Sequence, residues 1–270
     1  MDVVEVLYYT DPFSPWSWAL EPGVRRLCQE FGDNLRITYV MSGMRSELED
    51  EKQVSLQALE ASAASGMPVD VRLWLRDPPR SSHPACIAVK AAAEQGNPAL
   101  YLRRLREAVL CRQRKLEGAE ELTAEARAVT SLDLNRFKLD IGSNAILEKF
   151  GFDLDRAQAV DPSHYSEGSA RVRLPSLEFR GPDGQVHGVY GYSEYPELRD
   201  AGLAAGAQPA GAVAPSVTEA LRQFGSLAAA EVAAVCGLPG PAASAELWQL
   251  ATEWQVKPER FGTAELWTLA

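Results

Sequence analysis

The chain has 270 residues, of which 46% are hydrophobic and 24% charged, a composition typical of a globular protein. Its formal net charge of −10 argues against a nucleic-acid partner, because affinity for the phosphate backbone depends on clustered lysine and arginine. No stretch approaches the roughly 18 apolar residues of a membrane-spanning helix, so no membrane partner is expected either.

The first forty residues predict a strand, a helix and a second strand that runs parallel to the first. Residues 3–9 are apolar and rich in β-branched and aromatic types, as in a buried parallel strand. A helix is predicted over about 16–31, where apolar residues recur at helical spacing until Gly32-Asp33-Asn34. Residues 35–40 then predict the second strand, which completes a βαβ unit.

The middle of the chain predicts a helical insertion, at about residues 48–165, because leucine, valine and alanine recur there at helical spacing. Strand patterns return at 172–179 and 185–190, on either side of a Gly-Pro-Asp-Gly turn, and predict a hairpin. A helix over 193–204 follows. We therefore expect an α/β domain over residues 1–205.

The last part of the chain predicts a small separate domain. Residues 206–215 are small and proline-rich, which is typical of a linker. Residues 216–270 predict three short helices and an extended tail, and they resemble a winged-helix module, with a wing at 262–267. Six glutamates face three basic residues in this segment. Since that balance would repel phosphate, a packing or protein-contact role is favoured over DNA binding.

The most informative motif follows the first strand and reads Asp11-Pro12-Phe13-Ser14-Pro15-Trp16-Ser17-Trp18. It resembles the D-P-x-C-P-W-C-W stretch of cytosolic members of the DsbA family, with serine in place of both cysteines. The stretch Ser81-Ser82-His83-Pro84-Ala85 resembles the start of the insertion in the same proteins. The resemblance spans about residues 3–204, and it implies a thioredoxin-like fold with a helical insertion.

The two serines change what the resemblance implies about activity. Thiol–disulfide exchange needs a thiolate, and the Ser14 and Ser17 hydroxyls cannot supply one. We therefore expect a DsbA-like protein that lacks dithiol chemistry, although oxidoreductase activity by family membership stays an alternative. Serine followed by proline is also a favoured helix start, so we expect Ser14 to cap the helix and Pro15 to occupy its first turn.

The resemblance also implies a binding groove beside the motif. In the family a cis proline precedes the third strand, and it corresponds here to Pro175. The residue before it, Leu174, would expose its backbone to an extended substrate, which requires no thiol. We expect the groove to involve Pro15, Trp16, Leu174 and Pro175. Because Trp16 and Trp18 are two residues apart, one is expected inside the fold and the other in the groove.

Two further resemblances define the functional hypotheses. Kappa-class glutathione transferases and chromene-carboxylate isomerases have serine at the first motif position, which implies glutathione as cofactor and Ser14, with Ser17, as catalytic residues. Bacterial adaptor proteins of the ClpXP protease join a DsbA-like domain to a small C-terminal module, which implies a protein or peptide partner. We favour the adaptor, which needs no cofactor, and keep the transferase or isomerase as the alternative.

The remaining cysteines and a basic segment give weaker predictions. Cys28 and Cys86 are expected to be small core residues, whereas Cys111, beside two arginines, is a candidate for an exposed, reactive thiol. The arginine-rich segment 103–115 is predicted to be a solvated helix face or a docking face for an acidic partner. No C-x-x-C pair and no metal-ligand spacing occurs, and the N-terminus shows no signal-peptide pattern. A cytoplasmic protein without a metal site is therefore expected.

Overall fold

A computed structural model describes residues 3–44 and 50–270 and confirms the βαβ unit. Strands β1 (Val4–Thr10) and β2 (Leu35–Met41) pair in parallel, from Val4 beside Leu35 to Thr10 beside Met41. The single helix predicted between them is wrong, because helix α1 (Pro15–Ala19) ends before α2 (Glu21–Phe31) begins. The reason is Pro22, which lacks an amide hydrogen and is tolerated only in the first turn of a new helix.

The sheet has the strand order β2-β1-β3-β4, and the predicted hairpin forms its second half. Strands β3 (Ser176–Arg180) and β4 (Val186–Tyr190) pair antiparallel, and β3 also pairs antiparallel with β1. Helix α10 (Tyr195–Ala204) follows and packs with α2 against one face of the sheet. The sheet places the end of β1 beside the start of β3, and both are therefore available to one site.

The insertion between β2 and β3 is helical, as predicted. Its described helices are α3 (Glu51–Ser65), α4 (Arg72–Arg76), α5 (His83–Ala93), α6 (Ala99–Leu110), α7 (Ala119–Ala126), α8 (Leu134–Asp140) and α9 (Asn144–Gln158). They enclose a core rich in alanine, leucine and aromatic side chains, including the buried Trp74. The predicted start at residue 48 lies outside the described residues.

The C-terminal segment forms a compact unit of helices and a small sheet. Its elements are α11 (Val217–Phe224), β5 (Leu227–Ala228), α12 (Ala229–Cys236), α13 (Gly240–Thr252), β6 (Val256–Phe261) and β7 (Ala264–Leu269). The sheet order is β5-β7-β6, and Ser216 and Glu219 form a capping box at the start of α11. Its own core contains Leu221, Val232 and Trp267.

The segment predicted as a linker carries no helix or strand but is fixed to the first domain. The amide of Ala210 donates to the Glu30 carbonyl at 2.7 Å, and the Asn34 side chain donates to the Gln208 carbonyl at 2.7 Å. Ala207 is buried. The boundary at 206–215 stays a prediction, and the segment holds the C-terminal unit close to α2.

Buried ion pairs join the C-terminal unit to the rest of the chain. The carboxylate of Glu231, in α12, is fully buried between two guanidinium groups. Arg103 donates to its two oxygens at 2.8 and 2.9 Å, and Arg25 Nε lies 2.7 Å from it. Glu107 in α6 accepts from Arg103 and from Ser226. We call this contact region, built by Glu21, Arg25, Arg103, Glu107 and Glu231, the seam.

The two interpretations of the arginine-rich segment are wrong for its buried members, although Arg114 is exposed and Lys115 pairs with Glu117 as a solvated face would have it. Arg103 and Arg106 are buried rather than solvated, and Arg106 contacts Glu21 and Thr10. Arg112 pairs with Glu259 of β6 at 2.7 Å. Arg103 and Arg106 of α6, and Arg112 just after it, therefore pair with carboxylates of their own chain and are not available to an acidic partner.

Candidate functional site

A cleft of about 370 Å³ lies where the turn before α1 faces the segment that leads into β3. One wall is formed by Ser14, Pro15 and Trp16, and Leu174 lines the cleft as well. The remaining lining comes from the segment after β2, from α3 and from the loop before β3: Met44, Gln53, Gln57, Ser166, Glu167, Arg171 and Val172. The predicted residues are thus brought together, except Ser17 and Pro175, which do not line the cleft.

Ser14 caps helix α1, as predicted. Its backbone is extended, with φ −72° and ψ 116°, and its Oγ accepts from the Ser17 amide at 3.2 Å. Pro15 occupies the first turn, where its missing amide hydrogen costs nothing. The Ser14 oxygen therefore accepts one hydrogen bond within the helix, and the hydroxyl hydrogen can still be donated to a ligand in the cleft.

Ser17 lies behind the cleft. Its side chain is fully buried, and its Oγ has no hydrogen-bond partner among the residues that the structure describes. Its carbonyl accepts from the Tyr8 hydroxyl at 3.3 Å. The catalytic role of Ser17 stays a prediction, and the structure places its hydroxyl in the interior rather than in the lining of the cleft.

The two tryptophans divide as predicted. Trp18 is fully buried, and its indole nitrogen donates to the Pro68 carbonyl at 2.8 Å, with the Arg103 guanidinium 4.2 Å from its ring centre. Trp16 is half-buried at the cleft, and its ring lies 5.3 Å from that of Tyr192. Of the two tryptophans, only Trp16 therefore offers an aromatic surface to a ligand in the cleft.

The bond between Leu174 and Pro175 is cis, which confirms the prediction. The Pro175 carbonyl accepts from the Gly191 amide at 2.9 Å, which fixes the turn to the end of β4. By contrast, neither the amide nor the carbonyl of Leu174 makes a hydrogen bond with another described residue. A residue that lines the cleft thus has a free backbone amide and carbonyl within the described ranges, and such groups can pair with an extended peptide.

Sequence reasoning missed Asp11 as part of the site. Its carboxylate is fully buried behind the Ser14 turn and accepts from Ser82 Oγ at 2.6 Å, from the Phe13 amide at 2.8 Å and from Cys86 Sγ at 3.3 Å. Burial raises the pKa of this carboxyl, although the hydrogen bonds from Ser82 and Phe13 oppose the shift. The group joins the two motifs of the sequence, since Asp11 belongs to the first and Ser82 to the second.

The cysteine predictions are corrected in two places. Cys28 is exposed rather than part of the core, because it is not among the buried residues of α2. Cys111 is buried and its Sγ approaches the Pro68 carbonyl at 3.2 Å, so burial raises its pKa and it is not a reactive surface thiol. Cys86 is buried, as predicted.

Within residues 3–44 and 50–270, no group of three or more histidine, cysteine, aspartate or glutamate side chains is arranged to hold a metal ion. No helix in the same ranges is long and apolar enough to cross a membrane.

Similarity to known proteins agrees with this architecture. Residues 7–162 match the sequence model of a thioredoxin family. The ClpXP adapter protein SpxH of Halalkalibacterium halodurans is 26% identical over 96% of this chain and 87% of its own length. SpxH of Bacillus subtilis is 28% identical over 92% of this chain and 83% of its own length.

A solved structure shows the same fold. The cytosolic disulfide reductase DsbM from Pseudomonas aeruginosa superimposes with a TM-score of 0.56 and is 18% identical, covering 73% of this chain and 92% of its own. The family match covers more than half of the chain and includes the Ser14 turn, β2 and the helical insertion. The chain therefore belongs to the thioredoxin family.

Proposed function

We propose that this protein is an adaptor that works in the cytoplasm, binds an extended segment of a protein partner in the Ser14 cleft and presents that partner to the ClpXP protease. The SpxH proteins, similar over most of the chain, are named as ClpXP adapters. The observation that supports this most is that two groups line the cleft: the backbone of Leu174, which has no hydrogen-bond partner among the described residues, and the half-buried ring of Trp16. Together they offer a peptide main-chain hydrogen bonds and an apolar contact.

The same cleft is poorly suited to redox chemistry. Ser14 and Ser17 stand where the exchanging cysteines would be, and a hydroxyl does not attack a disulfide sulfur. Ser17 is fully buried, and of the four cysteines only Cys28 is exposed. Cys28 does not line the cleft. We therefore infer that the protein binds its partner without dithiol exchange.

The C-terminal unit supports a protein partner rather than a nucleic acid. Its order of helix, strand, two helices and a strand pair fits a winged-helix-like module. Yet its charge is acidic, and two of its glutamates, Glu231 and Glu259, pair with arginines of the first domain. Winged modules that read DNA need cations toward the phosphates. We infer that this module is used for packing and protein contact.

The test is degradation by purified ClpXP. Proteins that accumulate when the gene is deleted, and return to normal when it is restored, supply the candidate partner. The purified chain should accelerate ATP-dependent degradation of that partner when present in less than equimolar amount. Absence of acceleration for every such protein would contradict the adaptor function.

A matched pair of variants locates the binding site. Gln53→Trp places a bulky ring in the cleft, whereas Lys52→Trp changes the neighbouring exposed residue of α3, which does not line it. Gln53→Trp should abolish the acceleration and Lys52→Trp should preserve it. Equal activity of both variants would place the partner elsewhere on the surface.

A glutathione-dependent transferase or isomerase is the second candidate. It is favoured by one observation: the Ser14 hydroxyl lines the cleft and retains its hydrogen, which can be donated to the sulfur of glutathione. Calorimetry with glutathione separates the two. Binding that is lost in Ser14→Ala, together with turnover of an electrophilic substrate, favours the enzyme, whereas no binding at millimolar glutathione favours the adaptor.

A further inference from the structure

A second cavity, of about 480 Å³, opens on the seam, away from the Ser14 cleft. Helix α2, strand β2 and the start of α6 form most of it, and the end of α11 closes it from the C-terminal unit. Its lining is mostly apolar and includes Tyr39, Leu100, Leu132 and Phe224. A cavity of this size and apolar character is typical of small-molecule sites, which range from about 300 to 1,000 Å³.

The charged groups at the base of the cavity are already paired with one another. Glu21 contacts Arg106, and its other oxygen lies 3.6 Å from Arg25 and 3.7 Å from Arg103. Arg25 and Arg103 both pair with Glu231. A charged ligand would therefore find no unpaired counter-charge there and would lose its hydration without compensation.

Neutral polar groups in the lining are unused, among them those of Tyr39 and Cys28. The Tyr39 hydroxyl and the Cys28 thiol make no hydrogen bond with other residues of the described ranges. Burial raises the pKa of Tyr39, so its hydroxyl stays protonated and can both donate and accept. The Phe224 ring is held against Arg25, whose guanidinium carbon is 4.8 Å from the ring centre. These features suit an aromatic ligand with a neutral polar substituent.

We propose that this cavity is a binding site for a small, uncharged aromatic molecule that carries a hydroxyl or a comparable hydrogen-bonding group. The molecule lies among Leu100, Leu132 and Phe224 and bonds to Tyr39. It contacts the first domain and the C-terminal unit together, so it stabilises the seam. The site does not depend on the adaptor function, and the Ser14 cleft takes no part in it.

Cys28 provides a reporter at the site itself, because it lines the cavity and the other three cysteines are buried. The rate of its alkylation by iodoacetamide is followed by mass spectrometry of the whole chain. The probe is 2-naphthol, a neutral bicyclic phenol, and 2-naphthoate is the anionic control of the same shape. At ten times its dissociation constant, 2-naphthol should slow alkylation about tenfold, because only about one site in eleven stays free.

Two exposed neighbours give matched variants. Ser131→Phe fills the mouth of the cavity, whereas Thr130→Phe adds the same ring at a residue outside the lining. Protection by 2-naphthol should saturate, vanish in Ser131→Phe and persist in Thr130→Phe, and 2-naphthoate should not protect. Failure of 2-naphthol to protect up to its solubility limit, or equal protection in Ser131→Phe, overturns the proposal. Equal protection by 2-naphthoate overturns the assignment to uncharged ligands.

Discussion

The Ser14 cleft and the seam both contain polar groups, but they use them in opposite ways. At the cleft, polar groups stay available: the Leu174 backbone bonds to no residue that the structure describes, and the Ser14 hydroxyl keeps a hydrogen. At the seam, polar groups are used within the chain. The single side chain of Arg103 bonds to Glu107, to Glu231 and to the Ser226 carbonyl. Since unmade hydrogen bonds are useful only where a partner supplies them, the cleft is suited to binding and the seam to holding two parts of one chain together.

The largest expected effect is a gain of chemistry at the cleft. Ser14→Cys with Ser17→Cys restores the C-x-x-C spacing at a helix start, where a thiolate is favoured. The double variant should form an internal disulfide and catalyse insulin reduction above the background of the wild type. The single variant Ser14→Cys is the control and should do neither. If the double variant forms no disulfide, the two positions are not arranged as a redox pair.

At the seam the largest effect is on stability. Glu231→Gln removes the negative charge that pairs with the buried guanidinium groups of Arg25 and Arg103. The free energy of unfolding should therefore fall by about 3–5 kcal/mol. Glu60→Gln, an exposed helical position, is the control and should change it by less than about 0.5 kcal/mol. Denaturant unfolding at pH 7 measures both. A change below about 1 kcal/mol for Glu231→Gln would mean that the seam contributes little to stability.

Sequence reasoning found the elements with local signals and missed those that depend on distant partners. The βαβ unit, the hairpin and the Ser14 cap follow from apolar runs, Gly/Pro turns and a Ser-Pro pair. The seam does not, because Arg103 and Glu231 are 128 residues apart, and an arginine-rich helix has the same pattern whether its partners are solvent or carboxylates. Asp11 was missed for the same reason, since Ser82 lies 71 residues away.

The two regions should also respond to pH with opposite signs. Burial alone would raise the pKa of Glu21 and of Glu107, but the nearby arginines hold both below the usual 4.5. The unfolded chain therefore binds more protons than the folded chain in acid, and the contribution of these carboxylates is lost as the pH falls through their native pKa values. Urea unfolding between pH 7 and pH 3 should show stability decreasing below about pH 4.5, the usual pKa of the unfolded chain.

Asp11, buried behind the Ser14 turn, should change stability with pH in the opposite direction. Burial raises its pKa above the usual 3.8, so the folded chain binds the extra proton and stability falls as the pH rises through the native value. Asp11→Asn removes that dependence and should leave the acid loss at the seam intact. A variant whose stability follows the wild type at every pH would show that Asp11 does not titrate differently in the folded chain.

The smallest expected effect separates stability from binding at Ser14. Ser14 and Ser143 are both N-caps, with Oγ accepting a backbone amide at 3.2 and 3.3 Å. Replacing either with alanine should lower the free energy of unfolding by about 1 kcal/mol, because one amide at the helix start loses its partner. Only Ser14 lines the cleft, so only Ser14→Ala should also weaken binding of the partner, measured by calorimetry. Equal loss of binding in Ser143→Ala would show that the effect arises from general destabilisation. An unchanged affinity in Ser14→Ala would leave the Leu174 backbone and Trp16 as the contacts that hold the partner.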